Sequence, residues 1–178
     1  MRHAIREEIP QPEDTSIRHI PLTRGQFAIV DADDYPELMK YKWNALWHPR
    51  AKSWVARTTP SGGSIPMHRL VLKAPKGVAV DHINHNCIDN RKSNLRLATA
   101  AQNMANRRRM SSNTSGYIGV TTIKYRAFIQ GAGPDGKRRH THLGYFDSAE
   151  EAARARDREV LRIYGDFAHL NFPRSDYI

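Results

Sequence analysis

The sequence predicts an α+β protein made of two small units joined by a basic segment. Three observations support this. A short apolar stretch, a polar loop, an alternating stretch and a helix start follow one another between residues 78 and 106. Three strand candidates then precede one amphipathic helix between residues 116 and 165. Between the two, residues 107–115 are basic and then rich in Ser, Asn and Thr, which is typical of a linker.

The composition indicates an anionic partner. The 178 residues include 28 Lys and Arg against 18 Asp and Glu, a formal net charge of +10, which favours nucleic acid first and an anionic membrane surface second. No apolar stretch approaches the roughly 18 residues of a spanning helix, and residues 1–16 lack a signal-peptide segment. The single cysteine, Cys87, excludes a disulfide framework. We therefore expect a soluble cytoplasmic protein that does not bind membranes.

The positive charge is unevenly distributed along the chain. Residues 104–142 contain eight basic side chains and one acidic side chain, whereas residues 143–178 contain five basic and seven acidic ones. This pattern predicts a binding face that is backed by a supporting element.

The N-terminal third gives several short elements. Residues 1–16 have no periodicity and contain two prolines, so we expect a mobile arm. "FAIV" predicts a strand, and "DADDYPELMKY" predicts a short helix with Asp33 or Asp34 as its N-cap. "KWNALWHPRAKSWVART" predicts a hairpin, and "SIPMHRLVLKA" a strand or a helix start.

The next segment is more regular. "VAVDH" (78–82) predicts a strand, the Asn-rich stretch to Asn94 a loop, and "LRLA" (95–98) a second strand. Thr99 and Gln102 have the spacing of a capping box, which begins a helix that contains Asn103.

Beyond the linker, three strands and a helix are predicted. "GYIGVTTI", "YRAFIQGA" and "RRHTHLGYF" are the strands, and "GPDG" is the turn between the last two. Ser148 and Glu151 form a second capping box, and Gly165 ends the helix. The apolar positions recur at helical spacing: Ala149, Ala152, Ala153, Val160, Ile163 and Tyr164.

Asp81 and His82, at the end of the predicted strand 78–82, are the candidate catalytic residues. A neutral imidazole suits a general base that activates water, and a carboxylate with an amide oxygen suits Mg²⁺. Adjacent residues at a strand end point to opposite sides, so one can hold a metal while the other faces a substrate water. Asn103 could return an amide oxygen to that metal, and Asn94 could tether the loop or orient His82.

These residues resemble the HNH (ββα-metal) endonuclease family, in its phage and intron-associated homing branch. The resemblance covers roughly residues 20–106, including "MHRLVL" and "LTRGQFAIVDADDYPELMKYKW". It implies that His82 is the general base and that Asn94 positions the loop. Asp81 and Asn103 are then the ligands of Mg²⁺, for which Mn²⁺ can substitute. The third motif letter departs from histidine, because Asn occupies position 103.

Two further assignments concern the same segment. His68 and Arg69 could lie beside the phosphate, with simple packing as the alternative. A zinc site from His82, His85 and Cys87 is a competing interpretation, but its spacing matches no structural zinc pattern well. We expect no structural zinc.

The C-terminal part is similar to the plant ethylene-response-factor (Apetala) type DNA-binding domain over residues 113–173. The likeness rests on "SGYIGV", "YRAFI" and "HLGYFDSAEEAARARDREVLRIYGDFAHLNFP". It implies a three-stranded antiparallel sheet in the major groove with the helix packed behind it. Strand alternation places Ala127 and Ile129 toward the helix. Alternation on the last strand predicts two faces. One face carries Arg138, His140 and His142, and the other carries Arg139, Thr141 and Leu143.

The remaining residues of the sheet give the DNA-facing set. Replacement of the family's Arg- and Trp-rich contact positions means that its target sequence cannot be carried over. The predicted DNA contacts are Arg107, Arg108, Arg109, Thr121, Lys124, Arg126, Phe128, Gln130, Arg138, His140 and His142.

Together these patterns predict a site-directed DNA endonuclease of the homing or mobile-element type. We expect an N-terminal arm (1–16), a nuclease domain (17–106), a basic linker (107–115) and a DNA-binding domain (116–174). The partner is double-stranded DNA, the protein is a monomer or a DNA-induced dimer, and the setting is a bacterial or phage-infected cell. A non-catalytic DNA-binding regulator and an RNA-directed protein are the alternatives.

Overall fold

The computed structural model describes residues 9–49, 51–60, 63–132 and 137–178. Residues 1–8 of the predicted mobile arm lie outside the described residues, as does the "GPDG" turn. The chain divides into two compact units, Met1–Leu97 and Ala98–Ile178. This division falls inside a strand, earlier than the predicted linker. No helix among the described residues has the length and apolar character needed to cross a membrane.

The first unit consists of small sheets and two short helices. Its elements, in chain order, are β1 (Ile17–Pro21), β2 (Phe27–Asp31), α1 (Tyr35–Leu38), β3 (Asn44–His48), β4 (Ser53–Thr58), β5 (Ile65–Pro66), α2 (Met67–Val71), β6 (Ala79–His82) and β7 (Leu95–Ala98). The sheets are β1–β2, β3–β4–β5 and β6–β7. The core that holds them together includes Ile20, Val30, Trp43 and Met67, which are almost fully buried.

Most of the strands predicted for this unit are confirmed. β2, β6, β7 and the β3–β4 hairpin lie where the patterns placed them. Asp34 occupies the N-cap position of α1, as predicted, but neither its side chain nor that of Asp31 makes a capping hydrogen bond. Both carboxylates bind Lys92 instead: its backbone N–H donates to Asp31 Oδ2 at 2.7 Å and its Nζ to Asp34 Oδ1 at 2.7 Å.

Strand β2 also pairs with the polar loop that follows β6. The backbone N–H of Ile29 donates to the carbonyl of Ile88 at 2.9 Å, and the N–H of Asn90 donates to the carbonyl of Ile29 at 2.7 Å. The loop therefore has backbone support from the N-terminal hairpin.

The second unit packs two helices against a strand pair. Its elements are α3 (Ala100–Ala105), β8 (Arg126–Ala132), β9 (Arg138–Tyr145) and α4 (Ala149–Tyr164). Both halves of the predicted capping box at Thr99 are present. Ser148 accepts the backbone N–H of Glu151 at the start of α4. Gly165, at φ +53°, ends α4 in the left-handed region that glycine adopts without strain.

Strand alternation in β8 is as predicted. Ala127 and Ile129 are 0% and 4% exposed and pack against the buried face of α4. Ile163 shares the helical spacing of the apolar positions, but it does not belong to the buried face of α4, because it is 46% exposed. The buried stripe of α4 runs instead through Arg156 and Asp157, one turn before Val160.

The predicted first strand of this sheet is wrong as a regular strand. Residues 117–121 form only a single bridge, between Val120 and Ala127. Gly119, at φ +74°, is not extended, and a Cβ there would lie 2.5 Å from the carbonyl oxygen of Phe128. Glycine is therefore required at this position so that the two backbones can approach closely.

A buried ion pair fixes the C-terminal segment to α4. Asp157 is fully buried and accepts hydrogen bonds from Arg156 (3.0 Å), from the backbone N–H groups of Asn171 (2.5 Å) and Phe172 (3.1 Å), and from the Tyr177 hydroxyl (3.2 Å). Burial and this carboxylate raise the pKa of Tyr177 to about 12. The network is structural, because each partner lies within the second unit.

Candidate active site

Asp81 and His82 lie at the end of β6, where a strand gives way to the polar loop. The two residues are only 5% and 7% exposed. Directly after them, the backbone N–H of Ile83 donates to the carbonyl of Asn94 at 2.9 Å. The end of β6 and the start of β7 are therefore held together at the position of the two candidate groups.

Arg96 on β7 binds the carboxylate of Asp81. Its Nε and Nη2 both lie 2.8 Å from Asp81 Oδ2. The two side chains are 16% and 6% exposed, so the pair is largely removed from water. The sequence analysis missed Arg96, although its place on the strand next to Asp81 was predictable from "LRLA".

His82 is held in an environment that favours a neutral imidazole. Burial lowers its pKa; the side chain of Asn90 as a hydrogen-bond partner and the carboxylates of Asp81 and Asp89 partly oppose this. The ring of His68 lies perpendicular to that of His82, with 5.1 Å between the ring centroids. A neutral imidazole can accept a proton, as a general base must.

His68, on α2, is kept neutral even more strongly. Burial, then the neighbouring His82, Arg69 and Arg57, lower its pKa to about 3. Its Nδ1 is buried and has no hydrogen-bond partner among the described residues. Its perpendicular ring packing therefore constrains the position of His82.

Arg69 has a structural set of contacts. Its guanidinium donates to the backbone carbonyls of Val78 (2.6 Å), Ala74 (3.1 Å) and Pro75 (2.6 Å). These bonds brace the segment that leads into β6, and the phosphate contact expected for Arg69 has no support in them.

Asn94 connects the two ends of the polar loop. Its Oδ1 accepts the backbone N–H of Asn84 at 3.0 Å, and its Nδ2 donates to the carbonyl of Asp89 at 2.8 Å. The side chain is buried, at 6% exposure of the residue. Of the two possibilities considered from the sequence, its contacts correspond to tethering the loop.

Two residues of the predicted loop that its sequence pattern does not single out also lie at this candidate site. Asn90 is 1% exposed and interacts with His82. Asp89, 2% exposed, accepts from Arg91 at Oδ1 (2.8 Å) and Oδ2 (2.7 Å) and from Asn84 Nδ2 (2.9 Å). No local pattern distinguishes these residues, because their burial depends on pairing of the loop with β2.

The donor set suits a divalent cation that takes few protein ligands. No group of three or more His, Cys, Asp or Glu side chains able to hold a metal occurs among the described residues. Mg²⁺ typically binds one or two carboxylates and completes its shell with water and phosphate oxygens. Asp81 is a buried carboxylate at this position, and Arg96 pairs with it. Asn103 lies on α3 in the second unit with an exposed side chain.

The outer face of β8–β9 carries a second group of candidate residues. The rings of Phe128 and His140 are stacked, with centroids 5.1 Å apart and planes 25° apart. Gln130 Nε2 lies 3.3 Å from His140 Nε2, and the Arg126 guanidinium lies 5.9 Å from the centre of the Phe128 ring. His142 makes an edge contact with Tyr145. The structure thus brings these residues together on the face opposite α4.

The other predicted contacts are more scattered. Arg107, Arg108, Arg109 and Lys124 are exposed. Thr121 is partly buried, and its hydroxyl contacts the carbonyl of Ile123 at 3.4 Å within its own turn. The side chain of Arg138 lies outside the described residues.

Comparison with known proteins identifies a family. The HNH endonuclease family model matches residues 68–105, which contain α2, β6, the polar loop, β7 and α3. An uncharacterized HNH endonuclease of Acanthamoeba polyphaga mimivirus is 32% identical over 155 residues, covering 83% of this chain and 76% of that protein. No solved structure shows a significant match.

Two further relatives match shorter stretches. An AP2-like ethylene-responsive transcription factor of Oryza sativa subsp. japonica is 39% identical over 70 residues, covering 36% of this chain and 11% of that protein. Protein 3.8 of Escherichia phage T7 is 40% identical over 57 residues, covering 32% of this chain and 47% of that protein.

Proposed function

This chain belongs to the HNH endonuclease family, and on that premise we propose that it is a site-directed DNA endonuclease of the homing or mobile-element type. The observation that carries the proposal is the arrangement at the end of β6. A buried His82, whose pKa is lowered by burial, adjoins Asp81, and Asn94 tethers the following loop through Asn84 and Asp89.

His82 acts in this proposal as the general base. It removes a proton from the water that attacks the scissile phosphorus, and its lowered pKa keeps it able to accept that proton at neutral pH. His68 and Asn90 hold the ring in position, His68 by perpendicular packing and Asn90 as a hydrogen-bond partner. We also propose that His68 contacts the phosphate in the substrate-bound protein.

Asp81 and Asn103 are the proposed ligands of a divalent cation, Mg²⁺ with Mn²⁺ as a substitute. When bound, the cation supplies positive charge to the scissile phosphate and the leaving oxygen. Arg96 fixes the position of the Asp81 carboxylate through an ion pair. Asn103 is assigned by its place in the family motif.

The second unit is proposed to recognise double-stranded DNA. The stacked face of β8–β9 offers Arg126 and Gln130 to base edges and phosphates and aromatic rings to sugars and bases. The exposed Arg107, Arg108 and Arg109 add phosphate contacts that weaken with salt. The match to a plant transcription factor named for ethylene response supports this assignment. The oligomeric state on DNA is a monomer or a DNA-induced dimer.

The mimivirus and phage relatives support a virus-infected or phage-infected cell as the setting. In such a setting, a nuclease directed to one site could act in the spread of a mobile element.

The test is plasmid relaxation in Mg²⁺ with the wild type, His82→Ala and His85→Ala. We expect His82→Ala to lose about 10²- to 10⁴-fold in rate at unchanged DNA affinity, because a general base contributes an effect of that size. His85→Ala is the matched control in the same loop and should retain most activity. Equal activity of His82→Ala and wild type, or none in either with Mg²⁺ or Mn²⁺, would contradict the catalytic proposal.

A non-catalytic DNA-binding regulator is the second candidate, and the exposed aromatic face of β8–β9 favours it because that face serves binding without chemistry. Duplex binding without relaxation in either metal would support this candidate. Preferential binding of structured RNA over duplex DNA would instead support an RNA-directed protein.

A further inference from the structure

Two buried carboxylates in the loop region are each bound by an arginine. Asp81 is paired with Arg96, and Asp89 is paired with Arg91. The two pairs differ in solvent access: the Arg96 side chain is 16% exposed, whereas that of Arg91 is 36% exposed. Arg96 therefore neutralises the proposed metal ligand in a site that is screened little by water.

A neutralised carboxylate is a weak ligand for a divalent cation. Charges of the same sign a few ångströms apart repel strongly where water is scarce, and a guanidinium cannot lose its proton to relieve this. A cation that approaches Asp81 must therefore share the carboxylate with Arg96 or displace it. A bound DNA phosphate would add the negative charge that the protein side chains do not supply.

We propose that Arg96 competes with the divalent cation for Asp81 and holds the cation affinity of the DNA-free protein low. This inference rests on the proposed function, since it takes Asp81 as a metal ligand. Arg96 is thus a positioning residue with a second effect: it fixes the carboxylate and makes cation loading depend on the phosphate of bound DNA.

The first experiment measures Mn²⁺ binding to the full-length chain without DNA, by electron paramagnetic resonance of the free ion. We expect Arg96→Met to bind Mn²⁺ about tenfold more tightly than wild type, because one repelling charge beside Asp81 is removed. Arg91→Met is the matched control, since it removes an arginine from the other buried carboxylate, and its affinity should stay within about twofold of wild type.

Several results would overturn the inference. These are unchanged or weaker binding by Arg96→Met, and an equal gain in Arg91→Met, which would indicate an effect of net charge alone. Arg96→Gln removes the charge but keeps a hydrogen-bond donor for Asp81, and it provides the same comparison if the Met variant does not fold.

Asp81→Asn separates this inference from the proposed function. If Asp81→Asn leaves the Mn²⁺ affinity of the duplex-bound His82→Ala protein unchanged, the metal-ligand assignment fails. If it abolishes binding while Arg96→Met binds like wild type, the assignment stands and only the competition fails.

The second experiment adds a short duplex to His82→Ala protein, which prevents cleavage in the proposed mechanism. Duplex should tighten Mn²⁺ binding, and by reciprocity Mn²⁺ should tighten duplex binding by the same factor. Absence of any tightening would overturn the dependence of cation loading on DNA.

Discussion

In the first unit, five buried polar side chains lie between residues 81 and 94, and the proposed catalytic groups are among them. In the second unit, the buried pair Arg156–Asp157 lies on α4, and the proposed DNA contacts are on the opposite, exposed strand face. Chemistry needs groups that are desolvated and fixed, whereas groove contacts need side chains that can reach a large partner. The difference shows that buried polarity marks the site in one unit and holds the scaffold in the other.

The largest expected effect tests the scaffold role in the second unit. Asp157→Ala should lower the free energy of unfolding by about 3–5 kcal/mol, because it leaves the Arg156 charge buried without its carboxylate. Urea denaturation measures this, and DNA affinity should fall with it. Arg158→Ala, at an exposed position of the same helix, should leave the urea midpoint unchanged. A small effect of Asp157→Ala would show that this network is dispensable.

The second prediction tests buried polarity at the proposed catalytic site. Asn94→Ala should cost about 2–3 kcal/mol of stability, because Asn84 N–H and the carbonyl of Asp89 lose their partners. Plasmid relaxation should slow by at least about tenfold, since the loop below His82 loses its tether. The control is Asn86→Ala, whose side chain makes one long contact among the described residues, 3.4 Å to the N–H of Ile88. An Asn94→Ala protein that is as stable and as active as wild type would contradict the role of Asn94 as the tether of the loop.

The third prediction concerns pH and the pair His68–His82. His68 has a folded pKa of about 3 against an ordinary value of 6.5, so its contribution to stability is full above pH 6.5 and is lost as pH falls toward 3. The loss between pH 7 and pH 5 should be about 2 kcal/mol. Urea denaturation at both pH values should show a smaller loss for His68→Gln than for wild type. Equal losses would place the acid sensitivity elsewhere.

The smallest effect is expected on the exposed face. Arg126→Ala should weaken duplex binding by roughly three- to tenfold and reduce the dependence of affinity on salt by about one phosphate contact. Fluorescence polarisation at several salt concentrations measures both. Arg162→Ala, at an exposed position of α4, is the control and should leave DNA affinity unchanged. If Arg126→Ala lowered stability but not affinity, the outer face would belong to the scaffold.

Local patterns predicted most of the helices and strands, because the contacts that start and align these elements are between residues close in sequence. The capping box at Thr99, the N-cap at Ser148, the β3–β4 hairpin and the alternation of Ala127 and Ile129 are of this kind. The candidate site could not be predicted in the same way, because its contacts join residues that are far apart in sequence. The Arg96–Asp81 pair, the burial of Asn90 and the use of Asp31 and Asp34 by Lys92 depend on pairings between strands and loops.

The failure at residues 117–121 has a different origin. The stretch has strand composition, but Gly119 lies in the left-handed region, and only one bridge to β8 forms. Composition predicted extended backbone there, whereas the close approach to Phe128 determined the actual conformation.

The pairing of β2 with the polar loop bears on how this nuclease could be grafted or inherited. The family match begins at residue 68, yet the loop's backbone is bonded to Ile29 on both sides of Asp89. A gene fragment that encoded residues 68–106 alone would lose these bonds and the Lys92 contacts to Asp31 and Asp34. The smallest portable piece of this protein is therefore larger than its motif, and recombination that separates the N-terminal hairpin from the motif should leave it poorly folded.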